Sequence, residues 1–255
     1  MLWYKSWLDT RWQFAIGLAL VMLSACATVI AYPRVEKLIP ALAPISATGE
    51  IGRRIGEAAE LARTYRGYVF SQSFRQNLLQ MATLFAALLG SGSPLTLGSR
   101  GAALFTLSLP VSRQRLLGIR AAAGLLELLA LTIAPALALT VLSPGIGQSY
   151  SIVDALVHAL CMFAAATVFF SLAFLLSTVF SDMWRPWLLA CAVAVVLSIV
   201  AFAAPELSPY SIFNVMSGES YFWHGRLPWL GLVASAALSA AMLFGAVRNV
   251  ANQDF

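Results

Sequence analysis

Glu127 stands inside an otherwise uncharged run, Ala121 to Leu142, with Arg120 seven positions earlier. That separation is close to two helical turns, so both side chains share a helix face, about 10 Å apart along the axis. A carboxylate is costly to bury in lipid and has to meet a cavity, a partner or a proton. Glu127 therefore reads either as a polar contact between helices or as a substrate or gating contact on a translocation route. His158 and His224 have no other ligand-type side chains near them in the sequence and read as ordinary helix and loop residues. Cys26, Cys161 and Cys191 all fall inside apolar runs, without metal-ligand spacing, so neither a disulfide nor a metal centre is expected. The two lysines, Lys5 and Lys37, follow no glycine-rich loop, and a nucleotide-cradling GxxxxGK[ST] run cannot be built from them. Paired acids, metal-binding His-Glu runs and nucleophile elbows are also missing from the sequence. The chain is expected to be no enzyme and to hold no cofactor of its own.

The elements that must position these side chains follow from composition. Apolar residues make up 60% and charged residues 11% of the 255 residues, and the mean hydropathy is +0.81. A soluble domain could not hide so much apolar surface with so few charges, which points to an all-α integral membrane protein. The net charge of +5 then suits loops facing anionic lipid or a partner. Nucleic acid is excluded, since no basic patch carries interleaved stacking aromatics.

Six uncharged or nearly uncharged runs predict six spans in a single transmembrane domain over 1–255: about 14–31, 78–97, 121–142, 155–180, 187–204 and 228–247. Trp3, Trp7 and Phe14 predict an N-terminal interfacial helix leading into the first run. Leu23-Ser24-Ala25-Cys26 also fits a lipoprotein cleavage box, but Asp9 sits in what should be a basic leader and the run continues to Ala31. An uncleaved first span is the expectation.

Pro33, Pro40 and Pro44 argue against a helix straight after that span. From Glu50, residues Ile51, Ile55, Ala58, Ala62, Tyr65 and Val69 recur in steps of four and three, an amphipathic segment of about 50–72. It reads as a helix resting on the bilayer or on span ends, or as a docking face for an extracytoplasmic partner. A later loop carries Tyr210, Phe213, Tyr221, Phe222 and Trp223, the rings of an interfacial belt. Lysine and arginine are split eight and eight between the two sides, or eight and six without the remote Arg53 and Arg54. Orientation from charge leans only slightly toward cytoplasmic termini.

Between the second and third runs lies Thr106 to Arg120, TLSLPVSRQRLLGIR. Pro110 suits a first helical turn and Ser108 can serve the free amides there. Arg113, Arg115 and Arg120 fall among Val111, Leu116, Leu117 and Ile119, as in a surface helix with its guanidinium groups in water. Such a segment is either a platform that another protein pushes or an ordinary basic loop.

Gly101, Leu107, Leu109, Pro110, Val111, Ser112 and Arg113 resemble, in register, the intracellular loop of permease subunits of the type-2 ABC exporter family. Leu97 and Ser99 stand where that family has glutamates, and Ala102 where it has threonine. The resemblance implies that 98–120 is a coupling loop with a cytoplasmic coupling helix. It implies an ATPase interface at Ser108, Pro110, Ser112, Arg113, Gln114 and Arg115, with ATP and Mg held by the partner ATPase subunits. It further implies a second permease subunit, identical or related, both termini in the cytoplasm, and the cytoplasmic (inner) membrane of a bacterium. The aromatic loop becomes a candidate cap over the substrate exit. The expected function is that of a transmembrane permease subunit of an ATP-driven exporter. Two alternatives stand beside it: a non-transporting anchor or assembly subunit for an extracytoplasmic partner, and an ion-coupled carrier using Glu127.

Overall fold

In a computed structural model the chain is described over residues 2–42, 56, 60–92, 113–180, 182–203 and 211–251, and the elements there are all helical. Ser108, Pro110, Ser112 and Tyr210 lie outside the described residues, as do most of the 50–59 stretch and the side chain of Arg113. In chain order the longer helices are α1 (Leu2–Leu42), α2 (Tyr65–Val69), a π-helical stretch (Phe70–Asn77), α3 (Leu78–Ser91) and α4 (Arg113–Leu142). A 3-10 turn (Ser143–Ile146) leads to α5 (Ile152–Ser177), then α6 (Trp184–Ala203), the short α7 (Ile212–Ser217) and α8 (Glu219–His224), and α9 (Trp229–Ala251).

Five stretches are long and apolar enough to cross a membrane: Ser6–Leu38, Gln114–Ile146, Ile152–Ser177, Trp184–Ala203 and Trp229–Ala251. Together with the composition, they fit a multi-pass membrane protein. The second run begins at α3, 14 residues that continue the helical path of α2 and the π-helical stretch, and its residues 93–97 lie outside the described residues.

α5 is the axis of the bundle, packed by α3, α4, α6, α7 and α9. Its first turn is capped by Ser151, whose hydroxyl accepts from the Asp154 amide at 3.4 Å. Phe169, Phe170, Phe174, Met162 and His158 along it are fully buried. Two glycines permit that closeness. A Cβ at Gly90 would overlap the Phe170 carbonyl oxygen, and one at Gly124 would meet the Phe170 ring at 2.6 Å. α6 buries only Pro186, Ala190 and Ala194, a narrow face of four-residue spacing, and turns Leu188, Val195, Val196 and Ile199 outward. Water would make such a surface a liability, whereas lipid tails are as apolar as leucine. The small face of α9 turns inward: Ser235 and Ser239 are buried, and Ser239 lies 3.0 Å from the Thr167 hydroxyl.

One expectation about local structure is corrected. α1 runs unbroken through Pro33 and Pro40, so the prolines do not end the first helix. Proline forfeits one backbone bond and crowds the preceding turn, a loss that neighbouring helices can offset in a bundle. Tyr32, beside the first proline, is held edge-on by Tyr65 at 4.8 Å and tilted against Tyr68 at 5.2 Å. Residues 2–13, the expected lead-in helix, are helical and run directly into the first span. They are the first turns of α1, and Ser6 and Thr10 are buried there while Trp3, Trp7 and Trp12 stay exposed. Of the expected coupling loop, 98–112 lies outside the described residues, and Arg113 to Arg120 is the start of the 30-residue α4.

The π-helical stretch positions the second cluster described below. Phe70, Phe74, Leu78, Ala82 and Ala86 are all buried although they recur strictly every four residues. On a 3.6-residue helix such a repeat drifts around the axis. The wider π turn drifts the other way, so the row stays on one line facing α5. Tyr65 and Val69 of the amphipathic segment are buried on that rod, inside the protein.

Candidate functional site: two polar clusters at opposite ends of the bundle

The first cluster forms where α1 and α4 begin and α3 ends. The Arg120 guanidinium is buried, with 9% of the residue exposed, instead of lying in water. Its Nε donates to the Gly92 carbonyl at 2.8 Å and its Nη1 to the Ser6 carbonyl at 2.9 Å. Both acceptors sit at places where a helical ladder leaves carbonyls in need of donors or lets them take a second one. One side chain thus ties α4 to α3 and α1. A Cβ at Gly92 would collide with the guanidinium, so glycine is needed at that contact.

Glu127, two turns along the same face, is 6% exposed, and its Oε1 lies 2.6 Å from the Thr10 hydroxyl oxygen. Its Oε2 is buried without a hydrogen-bond partner, as are Ser6 Oγ and Gln13 Oε1. Gln13 Nε2 donates weakly to Met183 Sδ at 3.4 Å. Arg120 and Glu127 therefore do not satisfy each other. Each is held by α1, through residues four apart. Sequence reasoning found both charged residues and their shared face but missed Ser6 and Thr10. The available signal was their spacing with Gln13, three polar residues at i, i+4 and i+7 on one face of α1.

The second cluster lies at the other end, where α5 begins. Asp154 is gripped from two elements: Arg66 Nε lies 2.8 Å from Oδ2, and the Tyr221 hydroxyl donates to Oδ1 at 2.9 Å. Arg66 also covers the Phe222 ring at 5.3 Å, and Phe222 stacks flat on Phe70 at 4.1 Å. His158, one turn into α5, packs on Phe74 at 4.8 Å, and its Nδ1 lies 2.8 Å from the Ser217 carbonyl. A carbonyl can only accept, so Nδ1 carries the hydrogen there. Nε2 is buried without a partner, as is the Tyr150 hydroxyl. Burial, reinforced by nearby Asp154, pushes that hydroxyl well above the ordinary tyrosine range, so it stays protonated. Arg75 and Glu219 add a 3.7 Å pair at the rim.

The aromatic loop divides. Phe213 stacks on Phe169 at 6.0 Å, and Tyr221 and Phe222 join the cluster around Asp154. Trp223 is 55% exposed, the posture of a ring at a membrane surface. Gln114 is exposed on the first turn of α4. His224 lies at the end of α8, remote in sequence from any cluster of ligand-type side chains. No group of three or more His, Cys, Asp or Glu that could hold a metal occurs among the described residues. The geometry offers anchored polar contacts at both ends of a packed helical core.

Comparison with family models, with curated proteins and with solved structures returns no match to this chain.

Proposed function

We propose that the chain is the transmembrane permease subunit of an ATP-driven exporter, worked by a separate ATPase subunit. One observation carries the reading. The run that resembles the coupling loop of type-2 ABC exporters ends at Arg113, the first residue of α4, and Arg120 two turns later binds both α1 and α3. A push on the run would enter a rigid 30-residue helix and reach two further helices through one guanidinium. Closure of the ATPase would then shift the bundle between inward and outward access.

In this reading the α2–α3 rod supplies the sixth crossing, both termini face the cytoplasm, and a second permease subunit completes the route. Arg113, Gln114 and Arg115 meet the ATPase, together with Ser108, Pro110 and Ser112. The aromatic loop, latched by Arg66 and Arg75, caps the exit. Gentle extraction of the chain from its membrane tests the proposal. A stoichiometric ATPase subunit is expected to co-purify and to be lost on Arg113→Glu. Recovery of only a soluble extracytoplasmic partner would overturn the exporter reading in favour of an anchor. Proton-dependent flux without any ATPase would overturn it in favour of a carrier.

A further inference from the structure

The hydrogens around Glu127 do not add up if its carboxyl is ionised. Thr10 has a single hydroxyl hydrogen, yet its Oγ1 lies 2.6 Å from Glu127 Oε1, 3.2 Å from the Ser6 carbonyl and 3.5 Å from the Trp7 carbonyl. An ionised Glu127 can only accept. It would take the Thr10 hydrogen on Oε1 and leave Oε2 as a buried charged oxygen with no donor. Such an orphan is far more costly than a neutral one. Arg120, the charge that could compensate it, directs Nε and Nη1 to two neutral carbonyls instead.

A hydrogen on Oε1 removes the conflict. Glu127 then donates to Thr10 Oγ1, at a normal O–H to O distance, and Thr10 donates a hydrogen bond to the Ser6 carbonyl. Oε2 becomes a neutral carbonyl oxygen. We propose that Glu127 is a proton-binding site, and that its proton completes a chain from Glu127 through Thr10 to the Ser6 carbonyl that Arg120 also holds. On release, the proton leaves the carboxyl for water. Thr10 swings its O–H from Ser6 to Oε1, and of its two side-chain donors the Ser6 carbonyl keeps Arg120. Occupancy of the site thereby changes how α1 is fastened to α4.

The charges on the surrounding elements leave Glu127 largely alone. α4 brings Arg120, and α3 brings no ionisable side chain between Leu78 and Ser91. Asp9 and Arg11 on α1 and Arg248 on α9 are exposed, and Asp154 and His158 of α5 belong to the cluster at the opposite end. The inference does not depend on what the chain transports or on an ATPase.

Infrared spectroscopy of the purified chain in lipid at neutral pH tests it. The expected result is a protonated-carboxyl C=O band that disappears completely in Glu127→Gln. Thr10→Val keeps the carboxyl and removes its acceptor, so the same band should move to higher frequency. Absence of a protonated-carboxyl band at neutral pH, or a band untouched by both substitutions, would overturn the proposal. Should Glu127→Gln fail to fold, the Thr10→Val shift alone decides, because a band belonging to any other carboxyl would not respond to it.

Discussion

Arg120 shows how much one side chain can bind together when its charge is spent on backbone carbonyls. Its guanidinium offers a planar fork of donors, and lysine offers a point charge that cannot reproduce that fork. Arg120→Ala strips a donor from both Gly92 and Ser6. The cost should be about 1–3 kcal/mol for the buried groups left unsatisfied, read as a lower unfolding temperature in detergent. Arg120→Lys should recover only part of the loss, and an unchanged unfolding temperature for Arg120→Ala would contradict the tie. At the other end Asp154 accepts from Arg66 and Tyr221 at once. Asp154→Asn and Tyr221→Phe should therefore be non-additive, with a coupling of about 0.5–3 kcal/mol. Strict additivity of the two unfolding free energies would show that the contacts are independent.

At the scale of elements, two features depart from a regular α-helix: a proline carried inside α1 and a π turn that straightens a buried row. Pro33 sits within the 41-residue α1 and forfeits a backbone bond there. Pro33→Ala should restore it and raise the unfolding temperature, whereas a fall would mean that the proline itself is needed for the Tyr32 contacts. Gly90 has the opposite sensitivity. Any Cβ there meets the Phe170 carbonyl of α5, so Gly90→Leu should destabilise by about 1–3 kcal/mol as the helices are forced apart. A neutral outcome would show that α3 and α5 are not locked together.

For the whole molecule, the apolar runs were legible because lipid-facing helices need length and hydropathy and little else. The starts of α5, α6 and α9 fall within a few residues of the runs read from the sequence. What hydropathy cannot show is how a helix treats its neighbours. Pro33 reads as a breaker in isolation but lies inside α1. Arg120 reads as a wetted headgroup cation, yet it is buried because Gly92 and Ser6 turn carbonyls toward it. The six-residue helices that fold Tyr221 and Phe222 over Phe70 and His158 have no periodic signal strong enough to announce them. Glu127 was legible as unusual from its charge alone. Its partner Thr10 was not, because that contact joins residues far apart in the chain.

The exporter reading requires the start of α4 to face the compartment that holds ATP. Gln114 is exposed on its first turn, and a single cysteine there, with Cys26, Cys161 and Cys191 replaced, reports the side directly. A membrane-impermeant maleimide applied to intact cells should leave Gln114→Cys unlabelled, and the same reagent should label it in inverted membrane vesicles. Labelling from outside intact cells would contradict the account.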